Sequence, residues 1–160
     1  MSEQNNADIE QDVYAMLMKV FYLLDDCDHH FLAEYSLSVR QFWALKHLDE
    51  EHGCSMVDLS RALFTDKSNM TGIVDRLERL NLAVRVPASH DRRVFLIKLT
   101  SEGRRLYDSV NQQHEELIRE LLGIGSNESL HTLLQHLTAI SANVAGYLEQ
   151  VSGAGDTSVA

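Results

Sequence analysis

A mainly α-helical fold with one small β-hairpin is what the sequence predicts, and three observations predict it. Apolar residues recur at steps of three and four along most of the 160-residue chain, the signature of helices with one buried face. The period drops to two only within residues 83–99, which marks a pair of strands. With 44 % hydrophobic residues and no internal repeat or linker, the chain has the means to bury a single core.

The first helical pattern covers residues 7–35, where Ile9, Val13, Met16, Leu17, Val20, Leu23, Leu24, Cys27 and Phe31 share one stripe. A long amphipathic helix of this kind needs a partner surface, because packing of the apolar face supplies most of a helix's stability. Ser36-Leu37-Ser38 breaks the stripe, and Ser38 is a suitable N-cap for a second helix bearing Phe42, Trp43, Leu45 and Leu48. Two shorter helices follow His52-Gly53, at residues 56–63 and 67–80. The turn Phe64-Thr65-Asp66 joins them, and Thr65 or Asp66 can cap the second. That second helix is expected to bury Met70, Ile73, Val74, Leu77 and Leu80, turning Lys67, Ser68, Asn69, Thr71, Gly72, Asp75, Arg76 and Arg79 outward.

Residues 83–86 and 94–99 read as the hairpin strands, with the sole proline, Pro87, where the first strand ends; proline cannot donate to a ladder. Thr100 opens a helix carrying Leu106, Val110, Leu117, Ile118 and Leu121, which Gly123 and Gly125 interrupt. The last pattern, residues 127–151, aligns Leu130, Leu133, Leu134, Leu137, Ile140, Val144, Tyr147, Leu148 and Val151. Residues 152–160 are small and polar, as a disordered tail would be. The division expected is one domain over residues 1–160. A reading head occupies 38–100, and helical regions at 7–35 and 101–151 serve for pairing.

Charge is segregated along the chain. The net value is −10, yet residues 58–105 hold ten Lys/Arg against six Asp/Glu, leaving four and eighteen for the rest. A basic middle between acidic ends is the layout of a phosphate-contacting face on an otherwise repelled molecule. Two cysteines with no Cys-x-x-Cys spacing argue against a disulfide scaffold and suit a reducing compartment. The polar start MSEQNNADIEQD is unlike a signal peptide, and no apolar run approaches the ~20 residues that span a bilayer. A soluble, cytoplasmic protein is expected.

Helix, short helix, turn, helix and hairpin, in that order, make the plan of a winged helix-turn-helix. A helix entering a major groove about 12 Å wide needs small polar residues at its leading end and an apolar back. Ser68, Asn69 and Thr71 are short enough to approach base edges, while Lys67, Arg76 and Arg79 suit phosphates. At the hairpin tip His90-Asp91-Arg92-Arg93 places two arginines where a narrow minor groove or backbone would attract them. A solvated polar face and a solubilising turn are the plainer readings of the two segments taken singly.

Together the segments resemble the MarR family of bacterial regulators. The resemblance rests on residues 58–107, DLSRALFTDKSNMTGIVDRLERLNLAVRVPASHDRRVFLIKLTSEGRRLY, and most on VDRLERLNL, DRR and LTSEGRRL at their spacings. It implies a recognition helix at residues 67–80 and a wing at 85–98. It implies that Ser68, Asn69, Thr71 and Arg76 face the major groove, with Arg92 or Arg93 at the wing tip. Lys67, as a phosphate contact, and Gly72, as a place of close approach, complete the expected DNA-binding set with both arginines. Asn81 stands where members often have glycine, and asparagine tolerates the left-handed conformation such a turn needs. Gly72 stands where many members carry a polar or basic residue, at a cost of roughly 1 kcal/mol in helix propensity.

A single reading head seldom reaches useful specificity, so a homodimer on a pseudo-palindromic operator is expected, with half-sites about 10 bp apart. Ile9, Val13, Met16 and Val20 are expected to interleave with Leu133, Leu137, Ile140, Val144 and Leu148 across a two-fold axis, the alternative being an intramolecular bundle of the same stripes. Family members respond to small aromatic acids, oxidants or metal ions. Phe42, Trp43, His47 and Tyr107 are the candidate walls of an effector pocket, with core packing as their plainer role. Cys27, on the apolar stripe among Asp25, Asp26 and Asp28, reads as a structural cysteine, whereas Cys54 follows a glycine in an expected loop and is the more exposed of the two. Eight histidines are scattered without a His-x-x-x-His pair, so no metal and no cofactor is expected.

The glycines form no phosphate-binding loop and no histidine sits in a triad context, which leaves catalysis without a site. The expectation is a DNA-binding repressor, not an enzyme, released by a small ligand or oxidant. The alternative is a winged-helix module for protein–protein contact.

Overall fold

The computed structural model describes residues 2–88, 93–123 and 125–154. The chain divides into two units, Met1–Glu115 and Glu116–Ala160. The first contains α1 (Ser2–Ala33), α2 (Val39–Lys46), β1 (Cys54–Ser55), α3 (Met56–Ala62), α4 (Lys67–Arg79), β2 (Ala83–Pro87), β3 (Phe95–Leu99) and most of α5 (Ser101–Leu122). The second holds the end of α5 and α6 (Asn127–Ala154). The fold is mainly α, with a winged helix-turn-helix in the first unit, as expected.

Local chemistry starts and stops these helices. Ser38 caps α2 in a full capping box: its hydroxyl accepts from the Gln41 N–H, and the Gln41 side chain accepts from the Ser38 N–H at 2.8 Å. Ser55 caps α3, and Asp66 caps α4 by accepting from the Asn69 N–H at 2.9 Å. Thr100 caps α5 through the Gly103 N–H at 2.9 Å, and its hydroxyl also donates to Asn81 O at 2.7 Å.

Three helices end in the same device. After α1, Leu37 N–H reaches Leu32 O and Ser36 N–H reaches Ala33 O; after α3, Thr65 pairs with Ser60 and Phe64 with Arg61; after α4, Leu82 pairs with Leu77 and Asn81 with Glu78. These are Schellman motifs, whose second-last residue takes a left-handed backbone. Ser36 (φ +56°), Phe64 (φ +48°) and Asn81 (φ +56°) occupy that place. Asn81 thus does what the missing glycine would have done. For a bulky L-residue such as Phe64 the conformation costs roughly 1–2 kcal/mol.

The sheet has three strands in the order β1-β3-β2, all antiparallel. Ala83 faces Leu99, Arg85 faces Ile97 and Pro87 faces Phe95 in the hairpin, while Cys54 faces Ile97 on the other edge. The strand β1 was not foreseen, and it corrects the reading of Cys54. This residue is in a strand and half-buried, not in an exposed loop. Burial, reinforced by the carboxylates of Asp58 and Asp49, pushes its thiol above the ordinary range. Gly53 makes the turn into β1 possible: its φ is +75°, and a Cβ there would lie 3.0 Å from Ile97 O.

The core of the first unit gathers Leu32, Phe42, Leu45, Leu59, Met70, Val74, Leu77, Ile97 and Val110, all buried. Leu80, expected on this face, is instead the C-cap of α4 and partly exposed. Helix α5 seats itself by a close approach at Gly103, where a Cβ would stand 1.9 Å from Leu82 O. In the second unit α6 runs to Ala154, into the segment expected as tail; residues 155–160 lie outside the described residues.

Candidate nucleic-acid interface

Helix α4 has the two faces that entry into a groove requires. Met70, Val74 and Leu77 are completely buried, while Lys67, Ser68, Asn69, Thr71, Gly72, Arg76 and Arg79 are exposed. Among the described residues nothing lies within 4 Å of a Cβ built on Gly72, so none of them demands glycine there.

The cap Asp66 organises the leading end. Its carboxylate accepts from the Ser68 hydroxyl at 2.6 Å and from the Asn69 side-chain amide at 2.6 Å, besides the Asn69 N–H. The Ser68 hydroxyl, and next the Asn69 N–H, hold the carboxyl below its ordinary value. With their donors turned to Asp66, Ser68 Oγ and Asn69 Oδ1 keep acceptor lone pairs. The Thr71 hydroxyl donates to Lys67 O at 2.9 Å and is left in the same state. Acceptors at this end suit the amino groups of adenine N6 and cytosine N4 in the major groove.

An ion-pair clamp fixes the wing against this helix. The Arg85 guanidinium reaches Asp75 Oδ1 at 2.7 Å and also the Glu78 carboxylate, which accepts the Arg85 N–H as well at 2.9 Å. Arg85 is therefore engaged within the chain, and Asp75 sits on the outer face of α4 as its anchor. Beyond β2 the hairpin continues with Ala88 N–H to Val94 O at 2.8 Å. Arg93 is exposed, whereas His90, Asp91 and the expected contact Arg92 lie outside the described residues.

The expected effector residues are brought together in part. Phe42 is buried with ring centroids 5.9 Å from Trp43 and 5.8 Å from Tyr107. His47 is the exposed C-cap of α2 and stands outside this cluster of rings. The member that sequence reasoning missed is His114. It is buried, 5.0 Å from Phe42 and 5.6 Å from Phe31 by ring centroids, and its Nε2 meets Asp28 Oδ1 at 2.9 Å. Partners 86 positions apart leave no local signal. Burial pushes the Tyr107 hydroxyl up, and it donates to Asn111 at 3.2 Å. Among the described residues no three His, Cys, Asp or Glu side chains are grouped to hold a metal ion.

Comparison with known proteins decides the family. A model described as "MarR family" matches residues 35–94, the span from the end of α1 to the hairpin. The regulator PecS of Dickeya dadantii is 31 % identical over 92 % of this chain and 89 % of its own. The chain belongs to the MarR family.

Solved MarR-family structures share its fold. AbsC of Streptomyces coelicolor matches with a TM-score of 0.79 and 27 % identity, over 87 % of this chain and 96 % of that one. CouR of Rhodococcus jostii, solved with bound p-coumaroyl-CoA, matches at 0.71 and 25 % identity, over 82 % and 92 %. The protein is a DNA-binding transcriptional regulator of this family. Among the described residues no helix is long and apolar enough to cross a membrane.

Proposed function

We propose that this MarR-family regulator is a homodimeric repressor that reads a pseudo-palindromic operator with α4 and releases it on binding a small ligand. The observation that carries the reading is α4 itself, with a fully buried apolar back and an exposed front of Lys67, Ser68, Asn69, Thr71 and Arg76. The contacts described for that front are local, Ser68 and Asn69 to the cap Asp66 and Thr71 to Lys67 O, and its side chains remain exposed. Its short polar side chains stand at the leading end, where base edges come closest, and its longer cations suit phosphates on either side.

Pairing is supported by apolar stripes left open in each unit. Ile9, Val13, Met16 and Val20 on α1 are exposed, as are Leu133, Leu137, Ile140, Val144 and Leu148 on α6. Exposed apolar residues aligned along a helix are what a pairing surface offers. Two heads held at one helical turn would occupy promoter DNA and exclude polymerase, which is the repressor reading. A CoA thioester of an aromatic acid in one relative supports the aromatic-acid class of inducer, with the ring cluster of Phe42, Trp43 and Tyr107 as its candidate boundary.

The test is recovery of operator from genomic fragments at near-physiological salt, followed by a salt titration. A DNA regulator loses affinity with a log–log slope near −0.9 per phosphate neutralised. The double change Arg92→Ala and Arg93→Ala is expected to weaken binding on every sequence and flatten that slope. Asn69→Ala is expected instead to relax sequence choice. Recovery of no shared site at any salt would favour a protein-binding winged helix.

A further inference from the structure

The turn between α3 and α4 carries a residue that the fold of the chain does not account for. Phe64 is 97 % exposed, the most open of the large apolar side chains described. It also holds the left-handed position of a Schellman motif at φ +48°, a place that glycine or asparagine fills without strain. The other two such positions carry Ser36 and Asn81, both small and polar. An aromatic ring in strained backbone, burying no surface of its own, has no offsetting contribution to folding. Strain of this kind concentrates at functional positions.

Its place in the chain says what the ring meets. Phe64 is two residues before the cap Asp66, so their Cα atoms are at most about 7.6 Å apart. Ser68 and Asn69 hydrogen-bond to that same Asp66. Phe64 therefore stands beside the leading end of α4, the part that comes nearest to base edges when the helix enters a groove, with its ring open to solvent. A phenyl ring has no hydrogen bond to offer a phosphate or a base amide. The apolar group that the major groove presents is the C5-methyl of thymine.

We propose that Phe64 is a DNA-contacting, specificity-determining residue that reads one thymine per half-site through its C5-methyl group. The proposal rests on α4 being the recognition helix. It adds an apolar contact to the acceptor atoms already described, giving a half-site that combines a thymine with amino-bearing bases.

The experiment uses the full-length protein and an operator duplex selected from a random-sequence pool. Each thymine of a half-site is replaced in turn by deoxyuridine, which removes the methyl group alone. Wild type, Phe64→Gly, Phe64→Asn and Asn69→Ala are compared, since glycine and asparagine both accept the backbone at this position. Removing one methyl contact per half-site is expected to weaken wild-type binding about three- to fivefold for each half-site. Both Phe64 variants should bind the thymine operator more weakly by a similar factor and no longer distinguish it from the deoxyuridine form. Their melting temperatures should not fall, which separates a lost contact from a damaged fold. If the Phe64 variants match wild type on both operators while Asn69→Ala loses sequence choice, the thymine contact is wrong and the recognition helix stands. If neither position affects binding, the reading of α4 fails and this inference falls with it.

Discussion

Helices α4 and α6 treat their apolar residues in opposite ways. In α4 the apolar positions Met70, Val74 and Leu77 are fully buried against the first unit. In α6, 28 residues long, Leu133, Leu137, Ile140, Val144 and Leu148 stay between 37 and 57 % exposed. A helix of the first kind is complete within one chain, and its outer face is free for a polar ligand. A helix of the second kind has its apolar face still to cover. The contrast teaches that α4 finds cover for its apolar face within the first unit, whereas the apolar face of α6 stays open, and the proposed pairing with a second copy is one way to cover it.

The strongest way to break the comparison is to place charge on the open stripe. Leu137→Asp with Ile140→Asp is expected to give monomers in analytical ultracentrifugation and to lower operator affinity at least 100-fold, because an unpaired charge in an interface core is costly. A double variant that sediments as a dimer would remove α6 from the interface. The next effect sharpens the comparison with one chemistry at two places. Leu77→Ala should destabilise by about 3 kcal/mol at any protein concentration, as buried leucines do. Leu137→Ala should lower the melting temperature by an amount that depends on protein concentration, the mark of a coupled assembly. Equal concentration dependence in both would erase the distinction.

Smaller effects lie on the outer face of α4. Gly72→Ala has open space for its methyl group and should stabilise the protein by about 1 kcal/mol through helix propensity alone. A loss of operator affinity in this more stable variant, measured by anisotropy, would show that DNA approaches the backbone at Gly72. The smallest effect is the pH dependence of the cap. Asp66 has its carboxyl held below the ordinary value by Ser68 and Asn69. A lowered folded pKa means that its contribution is present above the unfolded value and is lost as pH falls through the folded one. Asp66→Asn keeps an N-cap without the charge, so its acid melting curve should be flatter than that of wild type. Identical acid profiles would show that the cap charge plays no part.

Much of this molecule is legible in local chemistry. The steps of three and four that predict α1, α4 and α6 are short-range patterns, as are the caps at Ser38 and Asp66. The front of α4 could be named in advance because a helix with one buried face exposes the rest by geometry. The left-handed turn at Asn81 was legible through the family resemblance, because asparagine tolerates the conformation that glycine often supplies there. The same turn at Phe64 was not, because nothing in a phenylalanine advertises that backbone.

Only the tertiary structure decided the rest, and distance along the chain is the common reason. Strand β1 is two residues long and exists because Cys54 and Ser55 pair with Ile97 and Leu96. That short pairing moved Cys54 from an expected loop into a half-buried strand. Arg85 looks like a wing cation until Asp75 and Glu78 engage it. His114 becomes a core residue through Asp28 and the rings of Phe31 and Phe42. Gly103 is required by a carbonyl of Leu82 that no neighbouring residue supplies. Periodicity follows from the geometry of one helix or strand, so sequence alone determined the helices, the hairpin and most of their exposed faces. Pairings between elements depend on how packed faces meet in space, which the fold as a whole decides.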